Sequence, residues 1–270
     1  MLQDIGDKKF DCVYKPDAAV KNDDYILIYD KRNILFFHGK IPTYAEIKEY
    51  ITDKHTYLFS IDETAFYLGE MPVLCCGADF VNTNALRKYP EKHLAFAGVT
   101  GLHLYTWYKN TKFCGACGSK LSHKKDERAM LCPECGNIIF PYMAVAIIVG
   151  VTNGDKILLT KYAGRDFTEY ALIAGFTEPG ESLEATVRRE VFEETGLKIK
   201  NIKYYGNQPW GYSQSTLVGF FAELDGDNKI TLDTNELSEG VWVNRKDVPD
   251  RDHNVSLTAQ MMRAFKLNEI

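Results

Sequence analysis

The sequence predicts an α+β chain in three parts: a small β-rich N-terminal domain (residues 1–110), a four-cysteine zinc ribbon (111–139) and a C-terminal domain of strands and helices (140–270). Three observations lead there. Short aromatic and β-branched runs fill the first part, and two Cys-x2-Cys pairs mark the second. The third alternates strand-like runs with an acidic amphipathic segment bounded by glycines.

A length of 270 residues accommodates more than one domain of ordinary size. Apolar and charged fractions of 45% and 26% are those of a soluble globular protein. The net charge of −5, with no long run of one sign, argues against a general polyanion binder while leaving room for a local basic patch. The longest apolar run, Met143–Val149, is too short to cross a bilayer and reads as a buried strand. With no basic-then-apolar leader, the expected compartment is a reducing cytoplasm, where seven cysteines do not form a disulfide framework.

In the N-terminal part, Asp24–Tyr29 and Ile34–Phe37 flank a polar turn at residues 30–33 and read as a hairpin, as do Thr56–Ile61 and Ala65–Leu68. Leu94, Gly98, Leu102 and Tyr105 recur near helical spacing, so 91–109 is expected to be a helix leading into the ribbon. There, Cys114-x2-Cys117 and Cys132-x2-Cys135 are separated by fourteen residues, each pair followed by a glycine. Two such knuckles place four thiolates around one tetrahedral Zn²⁺; a site closed by four protein ligands leaves no open position, so the ion is structural. Cys12, Cys75 and Cys76 lack this spacing and read as ordinary free thiols.

Beyond the ribbon, strands at 143–151 and 156–162 flank Asn153-Gly154, a type I′ hairpin signal. A strand at 170–174 should deliver the chain to Gly175, followed by a helix over 182–195 with Ser182 as N-cap and Gly196 as the stop. Strands at 199–205, 217–224 and 240–243, and a closing helix at 257–267, complete the expected domain.

Glu190, Glu193 and Glu194 sit at i, i+3 and i+4, within an arc of about 100° on one helix face. Like charges this close repel unless a cation sits over them. Hard divalent ions such as Mg²⁺ or Mn²⁺ take oxygen ligands and are held by a few carboxylates together with substrate phosphates. Most glutamate runs are simply solvated helix faces. This one, however, satisfies all nine specified positions of the Nudix box G-x5-E-x7-R-E-U-x-E-E-x-G-U, from Gly175 through Glu181, Arg189 and the three glutamates to Gly196 and Leu197. The chain resembles a Nudix hydrolase, which implies an α/β/α sandwich and hydrolysis of a nucleoside diphosphate linked to another group.

Three further features narrow the resemblance: the zinc ribbon just before the domain, Gln208-Pro209-Trp210 after the box, and Glu236 ahead of Val241-Trp242. From about residue 91 onward this order is similar to the NADH pyrophosphatase (NudC-type) family, which cuts NADH and NAD⁺ to nicotinamide mononucleotide and AMP and in some members removes NAD caps from RNA. The resemblance implies that Glu190, Glu194, Glu236 and the Ala174 carbonyl are Mg²⁺/Mn²⁺ ligands. It implies that Phe176 and Trp210 flank a flat ring, that Phe140 lies near the substrate and that Ala259 approaches the nucleotide through its backbone. It also makes Gln208, Pro209, Trp210, Gly211, Tyr212, Ser213, Gln214 and Ser215 the substrate-recognition loop. A homodimer is implied as well; the short apolar runs already argue against a membrane partner.

Chemically, bound divalent ions would offset the charge of the pyrophosphate and lower the pKa of an attacking water. Glu193 and Glu194 both remain candidates for the general base, beside Glu190. Arg189 reads as a structural partner of neighbouring carboxylates, Glu181 as a group orienting it, and Gly175 as room for metal and phosphate. The family loop carries prolines where this chain has Gly211 and Ser213, which predicts a more flexible loop and leaves the choice of dinucleotide open. ADP-ribose or dinucleoside polyphosphates are the competing substrates, and a non-catalytic nucleotide sensor is the competing class.

Overall fold

The computed structural model describes residues 1–164, 168–250, 252 and 254–270. The chain forms two compact units. One comprises residues 2–142 together with 210–214; the other comprises residue 1, residues 143–209 and residues 215–270.

In the first unit, β1 (Tyr25–Leu27), β2 (Asn33–Phe37), β3 (Thr56–Ile61), β4 (Thr64–Leu68) and β5 (Ala78–Asn82) build two small sheets. The β3–β4 pair is the antiparallel hairpin expected. The other expected hairpin is only partly present. Tyr29–Asp30 pairs with β2, but β1 leaves it and runs parallel to β4 in the other sheet. Local sequence carries no information on that long-range choice of partner.

Helix α1 (Lys92–Asn110) packs its small-residue stretch onto these sheets. A side chain at Gly101 would begin 2.4 Å from Leu27 Cδ1, and the Gly98 carbonyl accepts a 2.6 Å hydrogen bond from the Tyr29 hydroxyl. The glycines therefore let strand and helix approach closely rather than weakening the helix. No helix among the described residues is long and apolar enough to cross a membrane.

The ribbon follows as three two-residue strands, β6 (Ser122–His123), β7 (Met130–Leu131) and β8 (Ile138–Ile139). Its core joins Leu121, Met130 and the buried Cys114 and Cys132 to Trp107 of α1. Arg128 donates to the Leu58 carbonyl of β3 and lies 5.4 Å from the centre of the Tyr14 ring.

The second unit is an α/β/α sandwich. Its sheet runs β12 (Ile199–Trp210), β13 (Ser215–Leu224), β9 (Ala144–Asn153), β10 (Lys156–Tyr162) and β14 (Leu237–Asn244), with β11 (Ile173–Phe176) paired to β9. Side chains alternate along β9. Ile147, Val149 and Val151 face a cluster containing Val187 and Val191 of α2 (Leu183–Thr195). Ile148 faces the opposite cluster, with Leu257, Met261 and Phe265 of α3 (Leu257–Lys266). This period of two, buried on both faces, fixes the strand's register.

Helix α2 starts and stops where its caps dictate. The Ser182 hydroxyl accepts from the Ala185 N–H at 3.2 Å, and Gly196 adopts φ 69°. Two expectations are corrected. The β9–β10 turn consists of Gly154 and Asp155, because Asn153 is already paired with Lys156; only Gly154 has positive φ, unlike a type I′ turn. The strand expected at 170–174 lies at 173–176 and carries Gly175 within it, paired with Ile147.

Candidate active site and zinc centre

The box segment converges on Arg189. Its Nε and Nη2 grip the Glu181 carboxylate at 2.7 and 2.9 Å, while Nη1 reaches Glu190 at 2.8 Å and Glu193 at 2.9 Å. Nη2 also donates to the Phe176 carbonyl at 3.0 Å, tying α2 to the end of β11. Glu181 accepts further hydrogen bonds from the Glu178 N–H and the Thr186 hydroxyl, each at 3.0 Å. The guanidinium, helped by these donors, holds the Glu181 carboxyl down at about 2.

Glu190 is in a different position. Burial pushes its carboxyl up, Arg189 pulls it down, and the like charges of Glu193 and Glu236 push it up again. A side chain at Gly175 would begin 1.9 Å from the Glu190 carboxyl carbon. The space that Gly175 was expected to reserve for metal and phosphate therefore holds the Glu190 carboxylate. Glu194, one turn along, is buried at 3% exposure, whereas Glu193 is solvent-exposed. Glu236 comes from a turn fixed to the end of α2: the Asp233 N–H donates to the Glu194 carbonyl at 3.0 Å, and the Glu236 N–H to the Asp233 carbonyl at 3.2 Å. Ala174 lies on β11 opposite Ile148, one residue before Gly175.

The oxygen donors Glu190, Glu194, Glu236 and the Ala174 carbonyl suit a hard divalent cation. Among the described residues, only the cysteine quartet brings three or more ligand atoms within 4.8 Å of one another. A Mg²⁺ site of one or two carboxylates completed by substrate phosphates needs no such all-protein cage.

The remaining candidate residues divide between the two units. Phe176, half exposed, ends β11. Gln208 is completely buried; its amide donates to the Val255 carbonyl at 2.9 Å and accepts from the Leu257 N–H at 2.7 Å, so it pins the start of α3. The Ala259 N–H is held by the Ser256 hydroxyl cap at 3.3 Å. Pro209 is exposed and Ser215 buried. Phe140 and residues 210–214 belong to the first unit.

The segment 207–215 was expected to be a loosened loop. Residues 207–210 instead continue β12, and Ser215 already starts β13. A side chain at Gly211 would begin 2.2 Å from the Val99 carbonyl of α1, so glycine is what lets the chain lie against that helix. Tyr212 is buried in the first unit's core, its hydroxyl 3.4 Å from the Thr83 carbonyl, and its own carbonyl accepts from Arg32 at 3.2 Å. Arg87 stands 5.0 Å from the Trp210 ring centre and 4.9 Å from that of Tyr212. Ser213 is exposed, and the Gln214 amide donates to the His103 carbonyl at 3.4 Å. Arg32, Arg87 and Val99 escaped the sequence reading because they act from more than a hundred residues away and carry no local signature.

The zinc centre repeats one turn twice. Gly118 and Gly136 adopt φ 78° and 74°, and their N–H groups donate to the Cys114 and Cys132 carbonyls at 2.8 and 3.0 Å. The Cys114–Cys135 and Cys117–Cys132 sulfurs are 3.6 and 3.4 Å apart. Tetrahedral Zn–S bonds of about 2.3 Å set sulfurs roughly 3.8 Å apart, so the quartet fits Zn²⁺. The Asn137 amide donates to the Cys114 sulfur at 3.6 Å, a supporting contact that sequence spacing did not reveal.

Residues 141–265 match the NUDIX domain and residues 109–140 the NADH pyrophosphatase zinc ribbon domain. Proteins named NAD-capped RNA hydrolase NudC from Salmonella typhi and Citrobacter koseri are each 41% identical over 149 residues, covering 55% of this chain. The match spans 58% of the length of each of those relatives. A crystal structure of a NUDIX hydrolase from Nitrosomonas europaea superposes with a TM-score of 0.51 at 22% identity, over 58% of this chain and 92% of that one, a likeness of fold. The chain therefore carries a NUDIX domain at residues 141–265, preceded by an NADH pyrophosphatase zinc ribbon domain at residues 109–140.

Proposed function

We propose that the protein is a divalent-metal-dependent hydrolase of the pyrophosphate bond of NADH and NAD⁺, releasing nicotinamide mononucleotide and AMP, and that it removes NAD caps from RNA. The observation that carries this reading is the seating of Glu190 against Gly175, one helical turn from the buried Glu194, with Arg189 fixed by Glu181. The 41% identity to relatives named NAD-capped RNA hydrolase supports the choice of substrate.

Glu190, Glu194, Glu236 and the Ala174 carbonyl would hold Mg²⁺ or Mn²⁺. When bound, such ions neutralise pyrophosphate charge and acidify a water. The chain's own contribution is positional. Arg189 restrains Glu190 and Glu193 while its Glu181 partner stays ionised, so the carboxylates keep their orientation as substrate arrives. Glu193, exposed and held by one hydrogen bond from Arg189, and Glu194, buried on the same face, are the two candidates for accepting the water proton. Phe176 offers an exposed ring for stacking on adenine or nicotinamide. We further propose a homodimer, as the family resemblance implies, working in a reducing cytoplasm.

One observation favours a wider substrate range. The Tyr212 ring is committed to the core, so it contributes no stacking surface in the recognition segment. Products identified by mass spectrometry from NADH, NAD⁺, ADP-ribose and NAD-capped RNA, supplied separately with Mg²⁺ or Mn²⁺, test the proposal. Fastest release of reduced nicotinamide mononucleotide and AMP from NADH, abolished in Glu194→Gln, is expected. Faster cleavage of ADP-ribose would replace the substrate assignment, and equal turnover by the variant would remove the assigned chemistry.

A further inference from the structure

Two neighbouring clefts in the first unit share Tyr105 and Lys109 on helix α1, and the two together are called the groove. The larger, about 610 Å³, brings Lys54, Phe80, Tyr108, Lys112 and His123 of the ribbon to that pair. The smaller, about 380 Å³, adds Lys31, Arg32, Asn110, Ser213 and Gln214. The charge along it is at odds with the chain as a whole. Five basic side chains line the groove against two acids, Asp30 and Glu70, both in the larger cleft, whereas the protein carries a net −5.

The fold does not use these cations as ion pairs. Lys8, Lys15, Lys40, Lys124, Lys161 and Lys200 all pair with carboxylates. Among the described residues, Lys31, Arg32, Lys54, Lys109 and Lys112 show no ion pair; Lys109 instead donates to the Tyr105 hydroxyl at 3.2 Å and stands 5.4 Å from its ring centre. Flat rings share the lining with these charges: Tyr105 stacks on Tyr29 at 5.2 Å, Tyr108 stacks on His123 at 5.0 Å, and Phe80 is exposed. Unpaired cations beside aromatic rings are what a single-stranded polynucleotide requires, the cations following its phosphates and the rings its bases.

We propose that this groove binds single-stranded RNA, the chain that an NAD-capped substrate carries and a free dinucleotide lacks. The inference rests on the cap-removing reading above and adds a site to it. Its smaller cleft includes Ser213 and Gln214, from the segment to which the family resemblance assigns substrate recognition. A free dinucleotide has no chain to place there, so the groove acts on capped RNA and not on NADH.

The test is the triple variant Lys54→Glu/Lys109→Glu/Lys112→Glu of the full-length, zinc-loaded protein, with its thermal midpoint as a folding control. Lys→Gln at the same positions is the second variant, keeping most of each side-chain stem if the reversal lowers the midpoint. The first readout is fluorescence anisotropy with a 5′-monophosphorylated single-stranded RNA across a salt series. Three lost phosphate contacts at about 0.7 each should lower the slope of log affinity against log salt by about 2, with at least about a tenfold loss of affinity at low salt.

The second readout is kcat/KM for NADH and for NAD-capped RNAs of increasing length. A loss that grows with RNA length, with NADH unchanged, is the expected result. RNA affinity and salt slope equal to wild type would overturn the groove assignment even if NADH and capped RNA are cleaved. Conversely, lysine-dependent RNA binding by a protein that cleaves neither substrate would uphold the groove and remove the catalytic reading.

Discussion

Glu190 lies over Gly175 so closely that the two positions share one space: an ideal Cβ on Gly175 would stand 1.9 Å from the Glu190 carboxyl carbon and 2.1 Å from one of its oxygens. The first glycine of the box thus serves the glutamate fifteen residues later. Gly175→Ala must push Glu190 off its perch or bend β11. Overpacking of this kind costs about 1–3 kcal/mol. In the role proposed for Glu190, a shift of even an ångström lowers turnover about a hundredfold. Parallel thermal melts and Mn²⁺ titrations of activity check this; an Ala variant with wild-type metal dependence would show that the Glu190 position is immaterial.

The Arg189–Glu181 pair should be visible in acid stability. Glu181 ionises at about 2 in the fold, below its ordinary 4.5, chiefly because Arg189 donates to it. The unfolded chain therefore binds the extra proton between these values, and stability rises with pH across that window. The contribution is complete above about 4.5 and is lost as pH falls toward 2. In Arg189→Gln the Glu178 N–H and Thr186 hydroxyl still hold Glu181, so part of the effect survives. Urea melts from neutral to acid pH should give a shallower acid limb for the variant; parallel limbs would exclude the pair as their cause.

Trp107 makes zinc loss observable. Its indole is 3% exposed and packs with Cys114, Leu121, Met130 and Cys132, so the metal and the ring share one small core. A ribbon this small cannot bury enough apolar surface to hold itself together without the ion. Chelation of zinc, or Cys132→Ser, should shift Trp emission to the red and release one zinc per chain. Trp107→Phe should remove most of that shift. Unchanged emission after complete zinc removal would mean that the apo ribbon keeps its core.

What was legible in the sequence was local. Ser182 and Gly196 cap α2 because the motif contains its own start and stop, and the cysteine knuckles carry their own turns in Gly118 and Gly136. What was illegible depended on distant partners. Nothing near Tyr25–Leu27 announces that it runs parallel to Thr64–Leu68, and nothing near Tyr212 announces Arg32, 180 residues away. The carboxylate positions of the box were readable, but the bond from Arg189 to the Phe176 carbonyl belongs to a strand expected at 170–174 and found at 173–176.

Gly211 is where that difference can be measured. Read locally, glycine in place of the family's proline means a looser segment and a higher ordering cost. In the fold, the missing side chain is what lets the segment lie on α1, with the Val99 carbonyl 2.2 Å from where a Cβ would stand and Tyr212 buried beside it. Gly211→Pro should therefore destabilise, because a ring built on that Cβ cannot fit beneath the helix. Overpacking against backbone points to a cost of about 1–3 kcal/mol. Gly211→Ala should fall between the two, since it adds the clashing carbon without the ring. Thermal melts of both variants, read with NADH turnover, decide the matter. If proline raises the midpoint, the segment is held loosely and its glycine is a relaxed position; if it lowers the midpoint and turnover together, the contact with Val99 is what orders residues 210–214.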